Sequence, residues 1–151
     1  MSSRKELYHN YIKELGKYNP EFLFKTSDEI ADNFREINSW YDLSWFDIYD
    51  GIECVGFIIV TNGDHCPAEY DYYISEVYID PAHREKGLMT RTLERLVKTN
   101  LGIWGLYTIA NNEPAIKFWN DFYKIAKIKT IPPRVNKSWQ YGCIEESFKT
   151  S

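Results

Sequence analysis

Apolar side chains recur at helical intervals through residues 7–40, as Leu7, Tyr11 and Leu15 and then as Ile30, Phe34 and Ile37. The spacing predicts two amphipathic helices broken at Asn19-Pro20. Thr26, Ser27 and Asp28 are N-cap candidates for the second, whose opening turn carries the acidic residues that a helix dipole favours there. Its end falls near Ser39. Two apolar runs, residues 45–49 and 54–61, flank Asp50-Gly51, a dipeptide that supplies the positive φ of a tight turn, and they predict an antiparallel hairpin. Residues 70–79, rich in tyrosine and β-branched side chains, read as a long strand stopped by Asp80-Pro81.

Beyond that stop, Met89, Leu93, Leu96 and Val97 form one face of a helix over 87–99, with Gly102 as its end. Residues 104–110 return as a strand. Asn112 caps a further helix, with Pro114 in its first turn and Ala115, Phe118, Trp119 and Phe122 as its buried stripe. Residues 125–131 and 138–145 read as two last strands, with Pro132-Pro133 in the loop between them. A strand, helix, strand unit over 70–110 among otherwise antiparallel strands implies an α/β fold. Its centre is a mixed, mostly antiparallel sheet flanked by helices, with a right-handed crossover.

Length and charge narrow the picture. A chain of 151 residues suits one domain over 1–151, large enough to bury a core without staples. The opening residues carry charge throughout and lack the apolar run of a signal peptide or membrane span, so the expectation is a cytoplasmic protein with no membrane partner. Cys54, Cys66 and Cys143 have no CxxC pairing and read as buried thiols. His65 beside Cys66 reads as an ordinary loop, so no metal is expected. Residues 21–80 hold fourteen acidic and two basic side chains, whereas residues 81–151 hold six and twelve. One part of the chain suits a cationic partner and the other an anionic one, or both are solvated faces. No long basic stripe accompanies the aromatics, which disfavours a nucleic-acid partner.

The informative segment is Tyr78-Ile79-Asp80-Pro81-Ala82-His83-Arg84-Glu85-Lys86-Gly87-Leu88-Met89, a strand that runs through a polar turn into a helix start. Unpaired N–H groups and the positive end of the helix dipole make such a turn an anion site suited to a pyrophosphate, and Gly87 allows close approach. The segment resembles the acetyl-CoA-binding signature of the GNAT superfamily, Q/R-x-x-G-x-G/A after a V-x-P strand end, here Ile79-Asp80-Pro81 and Arg84-x-x-Gly87. The run from Asn112 through Ala115 to Phe118 and Trp119 resembles the same family's N-x-x-A-x-x-F-Y element. The specific likeness covers residues 70–123.

This resemblance implies the acyl-CoA N-acyltransferase fold and acetyl transfer from acetyl-CoA to a small-molecule or peptide amine, in a family where homodimers are common. It implies that the backbone of Val77, Tyr78 and Ile79 pairs with the pantetheine arm. The loop of Arg84, Glu85, Lys86, Gly87, Leu88, Met89 and Thr90 would cradle the pyrophosphate, and Asn112 would reach the pantetheine end. Met89 departs from the usual Gly or Ala and also fits the buried stripe. Trp119 replaces a tyrosine that in many members protonates the departing thiolate. Indole is too weak an acid, so water, the ammonium product, Tyr123 or Tyr141 must supply that proton.

An alkylammonium has a pKa of about 10, so a carboxylate acting through water helps it lose its proton. Glu76, just before the implied thioester-binding segment, is the candidate, with Asp71 a weaker one. As the other readings, Glu76 is a charged residue on a half-exposed strand, or one that merely attracts the cationic acceptor. Aromatics among the carboxylates of residues 21–80, including Trp40, Tyr41, Trp45, Phe46, Tyr49, Tyr70, Tyr72 and Tyr73, suit a polyamine, an aminoglycoside-like amine or a lysine side chain. The competing function is a non-catalytic CoA-binding sensor or interaction module with the same fold.

Overall fold

The computed structural model describes residues 2–23, 25–136 and 142–151. Its elements are α1 (Arg4–Leu15), α2 (Pro20–Leu23), α3 (Ser27–Asn38), β1 (Leu43–Asp50), β2 (Glu53–Thr61), β3 (Tyr72–Ile79), α4 (Leu88–Thr99), β4 (Gly102–Ile109), α5 (Glu113–Ala126), β5 (Thr130–Asn136) and β6 (Cys143–Thr150). One six-stranded sheet runs β1-β2-β3-β4-β6-β5, parallel between β3 and β4 and antiparallel elsewhere. This is the expected mixed sheet.

Local chemistry explains the helix starts. Thr26 and Glu29 form a reciprocal capping box at the head of α3, and Ser3 accepts from the Glu6 amide at the head of α1. Asn112 caps α5 by accepting from the Ala115 amide. The break at Asn19-Pro20 holds an unforeseen single turn, α2, begun where Asn19 Oδ1 accepts from the Glu21 amide. Gly102 is a correction: α4 ends at Thr99 with Asn100 as its cap, and Gly102, with φ of 150°, opens β4.

The last two strands lie further along than the spacing predicted. Helix α5 runs on to Ala126, which places Ile125 on its exposed side. Pro132-Pro133 sit inside β5 rather than in a loop. That strand is an edge, and its register slips between Ile131 and Arg134, the setting in which prolines cost a sheet no ladder bonds.

Helices cover both faces of the sheet. Ile74, Leu106, Trp104 and Phe148 pack beneath α4 and α5 with Leu93, Val97, Trp119 and Phe122. Phe57, Ile59 and Tyr78 pack beneath α1 and α3 with Leu7, Ile12 and Ile30. Two of the sheet's irregularities fall at its centre, on β3. Strand β3 carries a bulge, since Ile74 pairs with Val60 and Glu76 with Ile59, leaving Ser75 as the extra residue. Strands β3 and β4 pair only over Tyr72–Ile74 and Trp104–Leu106, and beyond those positions they diverge.

Candidate active site

The divergence of β3 and β4 opens a cavity of about 560 Å³ that passes through the sheet. On the α1 face it is lined by Tyr11, Leu15, Asn19, Glu21 and Phe22, and on the α5 face by Asn112, Ala115 and Trp119. Its side walls are residues 73–77 of β3 and 106–109 of β4. Thr108 Oγ1 is buried in that wall and has no hydrogen-bond partner among the described residues.

Glu76 stands at the junction because of the Ser75 bulge. Ile74, Val77 and Ile79 all pack on the α4/α5 side, so unbroken alternation from Ile74 would have sent Glu76 there too. The extra residue turns it to the α1 side instead, where the Tyr11 hydroxyl donates to Glu76 Oε2. Desolvation pushes the Glu76 carboxyl up to about 8. The Tyr11 bond favours the carboxylate and works against that push.

Beyond the bulge the free edge of β3 faces the gap. The Asp80 amide donates to Val55 on β2, so alternation aims the N–H and C=O of Val77 and Ile79 the other way. Arg84 Nε uses the Ile79 carbonyl at 2.9 Å, so the Val77 N–H and C=O and the Ile79 N–H face the opening. Tyr78 points its ring to the opposite face, against Tyr11 and Phe57.

The polar turn ends at α4. Glu85 and Gly87 both have positive φ, 66° and 74°, and Gly87 caps α4 with no side-chain hydrogen bond. Turned amides followed by an uncapped helix start form a cradle for an anion. The charges expected to serve it are committed elsewhere. Arg84 reaches Glu14 on α1 at 2.7 Å and lies over the Tyr78 ring, while Lys86 is 2.7 Å from Asp50, which His83 also engages. Arg91, one turn into α4, bonds the Lys86 carbonyl and lies beside Gly87. It is the cation that sequence reasoning overlooked, although its place four residues after Gly87 on the same helix face was legible.

Leu88 and Thr90 are half-buried in the first turn, whereas the Met89 side chain is buried in the core, so only its backbone can serve the cradle. Asn112 lines the cavity with its Oδ1 already spent on the α5 cap. Tyr123 is a core residue packed on Trp119 and Phe148, outside the cavity lining. Burial and then Glu146 drive its phenol far above the usual range. Tyr141 lies outside the described residues. Asp71 accepts from the Ile103 amide at the far end of β4, away from the opening. Of the aromatics in residues 21–80, Tyr73 reaches the cavity, as does Phe22 from α2. Trp40 stacks on His65, Tyr72 stacks on Trp104, and Tyr41 and Tyr49 are exposed. Tyr11 and Tyr107 also line the cavity, and the sequence marked Tyr11 only as part of a helix face.

A divided sheet with an anion cradle on one side and a carboxylate on the other defines an acyl-transfer fold, and comparison with known proteins agrees. The acetyltransferase (GNAT) family model matches residues 6–122, and the chain belongs to that family. It is an acyltransferase. No curated protein sequence matches it. Among solved structures it is similar to an acetyltransferase from Thermus thermophilus (16% identity, TM-score 0.62, covering 92% of this chain and 88% of that one). It is also similar to a spermidine N-acetyltransferase chimera from Vibrio cholerae and hSSAT (17%, 0.64, 99% and 93%). A third is the PaiA N-acetyltransferase from Thermoplasma acidophilum, in complex with coenzyme A (16%, 0.58, 97% and 90%). At these identities the likeness is one of fold.

Proposed function

We propose that this chain transfers an acetyl group from acetyl-CoA to a primary amine carried by a cationic small molecule or a lysine-type side chain. One feature supports the reading: β3 and β4 part beyond Ile74 and Leu106 around a cavity lined by Glu76 and Val77 of β3 and by Asn112 and Trp119 of α5, and the turned amides before α4 follow the end of β3 in the chain. The site fits acetyl-CoA in kind, with turned amides at residues 85–88, the Val77 backbone facing the gap, and the orphaned Thr108 hydroxyl in its wall. When bound, acetyl-CoA supplies an acyl carbon activated as a thioester.

The chain's own groups do the rest. The Val77 N–H, aimed into the gap, supports negative charge developing on the acyl oxygen. Glu76 takes the proton of the attacking amine, directly or through water, and a carboxyl poised near 8 is matched to that exchange. Tyr11 holds the carboxylate in place. Tyr123 is turned into the core, so the departing sulfur takes its proton from water, from the ammonium product or from Tyr141. The protein is read as one domain over 1–151 acting in the cytoplasm, as a monomer or homodimer. Cys54, Cys66 and Cys143 are free thiols, which suits a reducing compartment.

The test is acetyl-CoA-dependent thiol release against polyamines, aminoglycosides, lysine peptides and peptides with free N-termini. Release with a cationic class supports the reading. Silence across the panel with CoA binding intact moves the weight to a non-catalytic CoA-binding role, which Trp119 at the gap favours.

A further inference from the structure

Helix α1 carries Tyr11, the hydroxyl that donates to Glu76, and it is fastened to the rest of the fold near both ends by arginine–carboxylate pairs. Near its start Arg4 grips Asp47 of β1 with Nε and Nη2, at 2.8 and 2.9 Å. Near its end Glu14 Oε2 accepts from Arg84 Nη2 at 2.7 Å. Arg84 is itself fixed in place. Its Nε donates to the Ile79 carbonyl at the end of β3, and its guanidinium lies 5.7 Å from the centre of the Tyr78 ring. A planar fork that serves two acceptors while lying over a ring sets angle as well as distance, which a lysine does not.

Tyr11 lies between the two ties, three residues before Glu14, so the two side chains are neighbours on the helix surface. The Tyr78 ring, under Arg84, meets the Tyr11 ring at 5.8 Å. The apolar cluster of Leu7, Ile12, Phe57 and Ile59 buries α1, but apolar burial has no direction and tolerates a helix that slides or rolls. The Tyr11 hydroxyl tolerates less, because a hydrogen bond weakens steeply with distance and angle.

We propose that Arg84 is a positioning residue for the proton acceptor: through Glu14 and Tyr78 it holds α1 where the Tyr11 hydroxyl meets Glu76. The consequence for catalysis rests on the transferase reading. Arg84 thus serves the reaction from the α1 side of the sheet, while the anion cradle is left to the turned amides and Arg91. Besides Tyr11, the ionisable groups facing Glu76 are the Tyr8 phenol on α1, which burial and then the Glu76 charge raise, and Glu21, Tyr73 and Tyr107 in the cavity lining. Substitution at Glu14 or Arg84 alters none of them.

The test follows the Glu76 carboxyl by carbon NMR titration in the ligand-free protein, for the parent, Tyr11→Phe, Glu14→Gln, Arg84→Gln and the double variant Tyr11→Phe with Glu14→Gln. CoA titration calorimetry and the pH–rate profile accompany it. The Arg84–Glu14 pair is partly exposed and contributes little to global stability, so each variant is expected to fold, as thermal unfolding checks. Loss of the Tyr11 bond removes support from the carboxylate, so its pKa rises. Tyr11→Phe is expected to raise the midpoint by about one pH unit, and Glu14→Gln and Arg84→Gln by about half a unit or more each. The inflection in kcat/KM moves with it, and Glu14→Gln binds CoA as the parent does. In the Tyr11→Phe background Glu14→Gln adds no further shift, because both act through one bond. An unshifted carboxyl in folded Glu14→Gln and Arg84→Gln overturns the proposal, and so does a double variant whose shifts add. Acetyl transfer to no amine removes the transferase reading, and the carboxyl titration still decides separately whether Arg84 positions Glu76.

Discussion

Glu76 shows how one residue acquires chemistry from its surroundings. A glutamate on a strand is ordinary, but the Ser75 bulge turns this one onto Tyr11, and burial lifts it to about 8. Its folded pKa is above the ordinary carboxyl value of 4.5, so the folded protein holds the proton more tightly than the unfolded chain does. The stability that this lends is present below pH 4.5 and is lost as pH rises toward 8. Glu76→Gln is therefore expected to unfold with a flatter pH dependence than the parent between those values, as read by thermal melts across a buffer series. A parent and variant with parallel pH dependence would show that the carboxyl is not perturbed.

The same residue marks the limit of what the sequence discloses. Glu76 could be named from its place before a strand's end, yet the bulge that aims it leaves no local signature. Asn112 and Gly87 were legible because a cap and a positive φ are decided within a few residues. Tyr11 was not, since a side chain on α1 meets the cavity only through the packing of that helix on a sheet assembled from distant segments. Arg84 was legible in identity but not in use. Its guanidinium is drawn to Glu14 by the packing of α1, which no local pattern records.

At the scale of elements, two junctions carry predictions. The turn before α4 needs Gly87 at φ 74°, and Gly87→Glu adds both strain and a negative charge where an anion is to bind. It is expected to weaken CoA binding more than tenfold by titration calorimetry while the far-UV spectrum stays that of the parent. The contact of Tyr70 with β4 needs Gly105, and Gly105→Ala forces the ring off its seat. A destabilisation of about 1–3 kcal/mol is expected in denaturant unfolding, as for other overpacked sites. Element type was legible through most of the chain, and the misplaced strands at its end have a physical cause. Pro132-Pro133 signals a loop locally, but an edge strand with a register slip tolerates both rings.

Over the whole molecule, the charge asymmetry along the chain becomes a division across the sheet. Carboxylates and phenols gather on the α1 side of the opening, and turned amides with Arg91 gather at the head of α4. A ligand that threads the opening touches β3, β4 and both helical layers, so it binds only the assembled fold. Acetyl-CoA at a hundred times its Kd is accordingly expected to add about 2.7 kcal/mol to stability, seen as an upward shift of the thermal midpoint that Gly87→Glu removes.

These scales meet in the pH–rate profile of acetyl transfer, measured for the parent and Glu76→Gln with the best acceptor found. If Glu76 accepts the amine's proton, kcat/KM of the parent rises through a pH near 8. The variant then falls by about a hundredfold or more and loses that inflection while binding CoA as before. A variant that keeps both the parent's rate and its inflection would place the proton transfer elsewhere and contradict the role assigned to this site.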